Sequence, residues 1–245
     1  MTQFNVGFAT DIGKKRLQNQ DSGTALPELG IFIVADGMGG HRGGETASAM
    51  AVDIISKTLE TNKQAAKPEK DILESAVKEA SRLIYEKSTK HPELQGMGTT
   101  ATILFSVGQK FVIGQVGDSR CYYIRDGLIW QLTRDHSLVA EKIRAGLITR
   151  EQARTDKMKN VITRSVGFEV DVNVETFELT PRSGDVYLLC SDGLSGMIDD
   201  FEIAKTVTKN LSDENNPKKA ADELVTLANN NGGDDNITVI VVQVR

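Results

Sequence analysis

The stretch Thr99–Leu132, TTATILFSVGQKFVIGQVGDSRCYYIRDGLIWQL, decides the fold class because four apolar runs follow one another there with only short turns between them. Arg125-Asp126-Gly127 predicts a hairpin, since Asp-Gly accepts the positive φ of a tight turn. Strands joined so closely pair antiparallel, because a parallel crossover needs a dozen residues or more. The stretch therefore excludes a doubly wound parallel sheet. The four predicted strands are Thr99–Phe105, Lys110–Val116, Arg120–Ile124 and Leu128–Leu132.

Similar apolar runs occur on both sides of this stretch, and helical patterns separate them. Apolar residues at three- and four-residue spacing predict helices around residues 47–58 and 73–84, and a third helix begins near Pro217. The fold class is therefore predicted as α+β, a layered sandwich in which helices cover antiparallel sheets. The outer predicted strands are Phe4–Phe8, Gly30–Ala35, Val174–Leu179, Val186–Cys190 and Ile237–Val244.

Composition and charge limit the class of protein. Hydrophobic residues make up 39% of the 245 residues, enough for a large core without disulfides. No linker rich in Pro or Ser divides the chain, so we expect one continuous domain over residues 1–245. The net charge of −5 comes without a basic block that could follow a phosphate backbone, which disfavours a nucleic-acid partner.

The sequence also indicates a cellular compartment. The N-terminal residues lack the long apolar region of a signal peptide, and no apolar run approaches the ~20 residues that span a bilayer. Cys121 and Cys190 both lie in apolar runs and are interpreted as buried thiols of a reducing compartment. We therefore expect a cytoplasmic protein with no membrane partner.

Aspartates recur where predicted strands end. Asp36, Asp118 and Asp192 each follow an apolar run and precede a small residue, Asp235 comes just before the last strand, and Asp21 closes the polar run RLQNQD. Any one of them could simply cap a turn or a helix, since Asp favours such places. Several strand-end acids in one chain instead indicate carboxylates that meet in space, where burial and mutual repulsion favour a bound cation.

The available ligands indicate which cation would bind. Histidine is scarce and neither cysteine lies in a C-x-x-C pair, which disfavours zinc. Ligation by oxygen alone suits Mg²⁺ or Mn²⁺. Two such ions about 3.5–4 Å apart can generate a hydroxide nucleophile and hold an in-line displacement at phosphorus. Arg16, five residues before Asp21, is the candidate ligand for the phosphate oxygens.

Other phosphate and hydrolase chemistries fit the sequence poorly. The glycine-rich run after Asp36 has Arg42 where a dinucleotide-binding G-x-G-x-x-G would need glycine, and Glu45 where a P-loop would need lysine. No G-x-S-x-G is present. Neither Cys121 nor Cys190 is followed six residues later by the arginine that a cysteine-dependent phosphatase uses.

Eight motifs in order identify a family resemblance that runs from about residue 2 to residue 244. The chain resembles a bacterial member of the metal-dependent PPM (type 2C) protein phosphatases. That resemblance implies a four-layer α/β/β/α sandwich, two antiparallel sheets packed face to face and flanked by helices. The motifs are RLQNQD (16–21), VADGMGGHRGGE (34–45), GMGTT (96–100), VGDSR (116–120), TRDHS (133–137), ITRSVG (162–167), LLCSDGLS (188–195) and GGDDNITVIVV (232–242).

The resemblance also implies a binuclear Mn²⁺ or Mg²⁺ site in a cleft at one edge of the sandwich. Matched motif by motif, Asp36 would bridge both metals and Gly37 would offer its carbonyl to one of them. Asp192 and Asp235 would hold the other metal. Asp118 lies where similar bacterial enzymes place a third, weaker metal, shared with Asp192.

The same resemblance assigns the remaining roles. Asp21 would act mainly through metal-bound water, and Arg16 would bind the phosphoryl group. A metal-bridging hydroxide would attack phosphoserine or phosphothreonine directly, without a phosphoenzyme. The implied partners are phosphorylated proteins, a bacterial Ser/Thr kinase and its substrates, and the protein is expected to be a monomer. The alternatives are a phosphatase dedicated to one regulatory phosphoprotein, a non-catalytic phosphoprotein-binding module of the same fold, and a metal-dependent nuclease, which the acidic charge disfavours.

Some positions depart from the family pattern or stay open. Met38 stands where eukaryotic members carry the histidine that is a candidate general acid, and His41 is its candidate substitute or else a hydrogen-bonding member of the glycine-rich loop. Gln20 replaces an acidic residue often found before Asp21, which would leave one metal more loosely held. His136 is interpreted as structural rather than catalytic. Residues 137–160 are predicted either as a flap beside the cleft or as an ordinary solvated helical surface.

Overall fold

The computed structural model describes residues 3–245, with the side chains of residues 40–42 and 154 outside the description. Its described strands form two antiparallel sheets. The strands are β1 (Phe4–Asp11), β2 (Asp21–Leu26), β3 (Ile31–Met38), β4 (Gly98–Thr99), β5 (Ala101–Val107), β6 (Lys110–Val116), β7 (Arg120–Arg125), β8 (Leu128–Gln131), β9 (Glu175–Leu179), β10 (Val186–Cys190) and β11 (Ile237–Val244). One sheet has the order β1-β11-β10-β7-β8; the other has the order β2-β3-β5-β6-β9, with β4 paired to β3.

Helices cover the outer faces of both sheets. Helices α1 (Gly40–Asn62) and α2 (Glu69–Lys90) pack on the sheet that contains β3, and α6 (Asp200–Glu214) and α7 (Pro217–Asn230) pack on the sheet that contains β11. The short helices α3 (Leu138–Arg144) and α4 (Arg150–Thr155) lie between β8 and β9 in the chain, and α5 (Asp192–Ser195) follows β10. The predicted α+β sandwich, with helices outside two antiparallel sheets, is confirmed.

The central strands are apolar on both faces because each face meets a different layer. In β3, Ile31 and Ile33 point to α1 and α2, whereas Phe32 and Val34 point to the opposite sheet. In β11, alternate valines and isoleucines divide in the same way between α6–α7 and the inter-sheet core. Strands buried on both faces read as continuous apolar runs, which is why the sequence predicts these strands well.

The structure differs from the sequence prediction at several places. The four strands of Thr99–Leu132 do not form one sheet, because β5 and β6 pair in one sheet and β7 and β8 in the other. The chain crosses between the sheets at residues 117–119. Strand β2 was not predicted, since DSGTAL has no apolar run. Helix α1 begins at Gly40, within the glycine-rich run.

None of the helices in residues 3–245 is long and apolar enough to cross a membrane.

Candidate functional site

A cleft of about 700 Å³ opens where the two sheets end together, and four of the five predicted acidic residues line it. Asp36 lies near the end of β3, Asp118 lies in the crossover between β6 and β7, and Asp192 begins α5 directly after β10. Asp235 immediately precedes β11, and Arg16 lies in the loop between β1 and β2. Five segments that are distant in sequence therefore bring one arginine and four carboxylates to one opening. The remaining lining residues are Lys15, Leu17, Gln18, Gln20, Gly37, Met38, Gly39, Asn160 and Ile162.

Asp21 lies behind this cleft. It stands directly opposite Asp36 in the antiparallel pairing of β2 with β3. Its Oδ2 accepts a hydrogen bond from the Ser191 hydroxyl at 2.7 Å, and that hydroxyl accepts one from the Thr238 N–H at 3.0 Å. The sheet register thus fixes Asp21 beside the lining carboxylates, buried rather than at the surface.

Three carboxylate oxygens at this place are buried and have no hydrogen-bond partner among the described residues. They are Oδ1 of Asp21, Oδ1 of Asp118 and Oδ1 of Asp192. A buried acceptor without a partner loses its hydration without compensation, which costs about 1–3 kcal/mol and more for a charged group. Oxygen acceptors held in this way suit a hard divalent cation. The residues present therefore fit the metal site that the sequence predicts.

Burial raises the pKa values of the same acids. It raises the pKa of Asp36 well above the ordinary range, and the neighbouring charge of Asp21 adds to the effect. Burial raises the pKa of Asp21 to about 7 and that of Asp118 to about 8. The pKa of Asp192 is raised by burial and by the charge of Asp235, against a hydrogen bond with Asp36. Without a cation, these carboxyl groups repel one another.

No three carboxylates, histidines or cysteines among the described residues form a complete ligand group as they stand. Asp235, one of the predicted ligands, is already paired. Its Oδ2 lies 2.6 Å from Nη2 of Arg16, and its Oδ1 accepts the N–H of Asn236 at 2.8 Å. A cation here would take carbonyl and water oxygens in addition to carboxylates, as Mg²⁺ usually does.

Threonine and asparagine side chains hold the loops that carry the site. Thr100 accepts the N–H of Asp36 at 2.8 Å and shares a hydrogen bond with the Ser119 hydroxyl at 2.8 Å, which joins β3 to the Asp118 crossover. The buried Asn236 amide donates to the carbonyls of Ile12 and Gln18 at 2.9 and 3.0 Å. Neither residue was given a role from the sequence, although Thr100 ends the GMGTT motif and Asn236 directly follows Asp235.

Gly37 is a position where the backbone needs glycine. A Cβ built there would lie 2.0 Å from the carbonyl oxygen of Gly44 at the start of α1. The Gly37 N–H donates to the Gln20 carbonyl at 3.1 Å. The close approach sets the entry of α1 against the end of β3, beside Asp36.

We expect Gly37→Ala to lower the free energy of unfolding by about 3 kcal/mol, the upper end for overpacking in a rigid environment. Chemical denaturation measures this effect. Gly108→Ala is the control, because Gly108 has open space around it and a φ of +60°, so that only about 1–2 kcal/mol of left-handed strain is expected. Equal losses in both variants would contradict the close-approach explanation.

His136, next to the start of the predicted flap (residues 137–160), contacts the segment that crosses between the two sheets and carries Asp118. Nδ1 of His136 accepts the Gly117 N–H at 3.2 Å, and the His136 N–H donates to the Gly117 carbonyl at 2.9 Å. The His136 carbonyl accepts the Thr163 N–H at 2.8 Å, where the segment returns. His136 is buried and does not line the cleft, whereas Asn160 and Ile162 do. These contacts favour the structural role predicted for His136.

The side chain of His41, the predicted candidate for the general acid, lies outside the described residues. Its backbone falls in the first turn of α1, directly after the glycines that follow β3. Its role stays a prediction.

The two packed antiparallel sheets agree with what the motifs' resemblance to the metal-dependent protein phosphatases implies, and the cleft at one edge is lined by the predicted carboxylates. The family model for protein phosphatase 2C matches residues 13–228. The serine/threonine phosphatase stp of Listeria monocytogenes is 39% identical over 245 residues, which cover 98% of this chain and 96% of that protein. The chain belongs to the protein phosphatase 2C family. The predicted family, and with it the prediction of an enzyme, is confirmed.

Solved structures agree with this assignment. The serine/threonine phosphatase PstP/Ppp of Mycobacterium tuberculosis matches with a TM-score of 0.90 at 32% identity, covering 99% of both chains. The catalytic domain of PstP in complex with two manganese ions matches with a TM-score of 0.87 at 33% identity, covering 100% of this chain and 99% of that chain.

Proposed function

We propose that this phosphatase hydrolyses phosphoserine and phosphothreonine in proteins, depends on two Mn²⁺ or Mg²⁺ ions, and opposes a Ser/Thr kinase. The observation that carries the proposal is that the buried, unpartnered carboxylate oxygens of Asp118 and Asp192 lie in the cleft that Arg16 also lines. The relatives' names and the manganese-containing neighbour support it. The two free, buried thiols are typical of a reducing compartment, and we propose that the enzyme acts in the cytoplasm.

We assign the ligands as follows. Asp36 and the carbonyl of Gly37 would hold one cation, Asp36 would also reach the second, and Asp192 with Asp235 would complete that second site. Asp118, with Asp192, would hold a third and weaker cation. When bound, such cations lower the pKa of water and stabilise negative charge on phosphoryl oxygens.

The chain's own residues would orient the substrate. The Arg16 guanidinium would hold the phosphoryl group through paired N–H donors, which match phosphate oxygens in geometry. Asp21 would orient water through its unpartnered Oδ1, because its other oxygen is fixed by Ser191. Asp21 is placed by the sheet before the substrate arrives, whereas Arg16 would exchange its pairing with Asp235 for the phosphoryl group.

The structure disfavours a cysteine as the nucleophile. Cys121 lies in the core between the sheets and Cys190 under the outer helices, both fully buried. Burial raises the pKa of the Cys121 thiol far above its ordinary value and that of Cys190 to about 12. A thiol that is neither accessible nor ionised does not attack phosphorus. We therefore propose direct hydrolysis without a phosphoenzyme.

Release of phosphate from a phosphothreonine peptide, with Mn²⁺ and with a chelator, tests the proposed function. We expect turnover with Mn²⁺, none in the chelator, and recovery when Mn²⁺ is restored. Turnover that persists in the chelator would contradict the metal dependence. Failure to hydrolyse the peptide in the presence of tight phosphopeptide binding would favour the alternative of a binding module.

His41→Ala tests whether this residue donates a proton to the leaving group. We expect phosphopeptide turnover to fall about 100-fold, within the range of general acid catalysis. Hydrolysis of an aryl phosphate, whose leaving group needs little protonation, should change far less. His91→Ala is the control, because His91 is exposed at the end of α2. Equal losses on both substrates would exclude proton donation by His41.

A further inference from the structure

Leu17 is the most exposed of the large hydrophobic side chains among the described residues, at 96% of its full accessible surface. It directly follows Arg16 and lines the same cleft as Arg16 and the carboxylates. It packs in none of the hydrophobic clusters of the described chain. A single exposed leucine elsewhere on the surface would carry no inference, but this one stands at the opening of the proposed active site.

The loop that presents Leu17 is anchored on both sides. Before Leu17, the N–H groups of Lys14 and Lys15 donate to the Gly233 carbonyl at 2.8 and 3.3 Å. After it, the Gln18 carbonyl accepts a hydrogen bond from the Asn236 side chain at 3.0 Å. The exposure of Leu17 is therefore a property of a fixed loop rather than of a loose one.

Another part of the chain contributes an apolar side chain to the same cleft. Ile162 lies among the lining residues, beside Asn160. A β-bridge to Ser137, at the start of α3, holds Ile162 in place. The cleft thus offers two aliphatic side chains from separate segments, together with the polar groups that would take the phosphate.

We propose that Leu17 and Ile162 form an apolar subsite for a side chain next to the phosphorylated residue of the protein substrate. The inference rests on the proposed function, because Arg16 fixes where the phosphoryl group lies. An extended chain advances about 3.3–3.6 Å per residue, so a subsite adjacent to Arg16 is in reach of a residue one or two positions away. The occupant is a hydrophobic side chain of a phosphoprotein, which loses water when it contacts Leu17.

The test compares two phosphothreonine peptides that are identical except for the residues on either side of the phosphothreonine, leucine in one and serine in the other. The measurement is the ratio of their kcat/KM values for each enzyme variant. For wild type we expect a ratio of about 10 in favour of the leucine peptide, as partial burial of one aliphatic side chain allows. The difference should lie mainly in KM, since the contact is remote from the reacting bond.

Leu17→Ser should lower this ratio toward 1, because one of the two apolar contacts of the subsite is removed. Leu128→Ser is the matched control, since Leu128 is also exposed but lies on β8 and does not line the cleft. We expect the control to keep the wild-type ratio. A ratio unchanged in Leu17→Ser, or near 1 in wild type, would overturn the subsite.

Two further outcomes would overturn the subsite and show whether the proposed function fails as well or Leu17 has a different role. If wild type hydrolyses neither peptide in Mn²⁺, the proposed function itself fails and the subsite fails with it. If sedimentation shows a dimer of wild type that Leu17→Ser dissociates, Leu17 serves a contact between copies of the chain, and the subsite is overturned.

Discussion

Asp192→Asn is expected to lower Mn²⁺-dependent hydrolysis of a phosphothreonine peptide by about 10³-fold, because the variant loses a negative charge that the cations require and the electrostatic stabilisation that depends on them. Oδ1 of Asp192 is one of the three buried oxygens without a partner, so its acceptor capacity is available for a cation. Asparagine keeps the shape of the side chain and removes the charge. Steady-state kinetics over a range of Mn²⁺ concentrations measures the loss.

A second measurement, independent of activity, follows from the electrostatics of the cleft. Mn²⁺ should raise the unfolding temperature of wild type, since a ligand that binds only the folded state stabilises it, and should raise that of Asp192→Asn far less. In the absence of metal, we expect the unfolding temperature of Asp192→Asn to be higher than that of wild type. Burial and the charge of Asp235 raise the pKa of Asp192, so at neutral pH its ionised form opposes folding. A neutral asparagine removes that opposition.

Asp234→Asn is the control for this prediction. Asp234 precedes the proposed ligand Asp235 in the GGDDN motif, but it is half-exposed, pairs with Lys15 at 2.6 Å and does not line the cleft. An exposed ion pair contributes little to stability. We expect its activity and its response to Mn²⁺ to stay near those of wild type. Full Mn²⁺-dependent turnover in Asp192→Asn would remove this residue from the metal site.

The sequence predicts the layers of this fold better than it predicts how strands are shared between them. Runs such as Val186–Cys190 and Ile237–Val244 are strands over their full predicted lengths, because burial on both faces requires apolar residues without interruption. The crossover between β6 and β7 could not be predicted in this way. Both strands are apolar and a short turn joins them, so the local pattern is the same whether they pair or enter different sheets.

The prediction that strand-end acids meet agrees with the structure for a physical reason. Strands of packed sheets end at shared edges, so Asp36 and Asp192 come together although 156 positions separate them in the numbering. The supporting hydrogen bonds were not predictable, because Thr100 and Asn236 act across long sequence distances and their residue types are common in turns. Pairing of Arg16 with Asp235 was also not predicted.

That pairing makes Arg16→Ala the second prediction with a large effect. We expect kcat/KM for a phosphothreonine peptide to fall about 100- to 1000-fold, as for removal of one strong donor to a transition-state anion. Arg16→Lys should recover part of the loss, since lysine keeps the charge without the paired N–H geometry. Lys15→Ala is the control for loss of a positive charge on the same loop.

Arg16→Ala should at the same time bind Mn²⁺ more tightly, by up to about fivefold, the scale of a partly exposed ion pair. Nη2 of Arg16 lies 2.6 Å from Oδ2 of Asp235, so arginine and cation compete for one carboxylate. Titration calorimetry with Mn²⁺ alone measures this without any substrate. By linkage, a phosphate that draws Arg16 away from Asp235 should strengthen Mn²⁺ binding more in wild type than in the variant. Equal Mn²⁺ affinity in both proteins, with and without phosphate, would contradict this competition and show that Asp235 binds Arg16 and the cation at the same time. The loss of activity in Arg16→Ala would then be due to weaker phosphate binding alone.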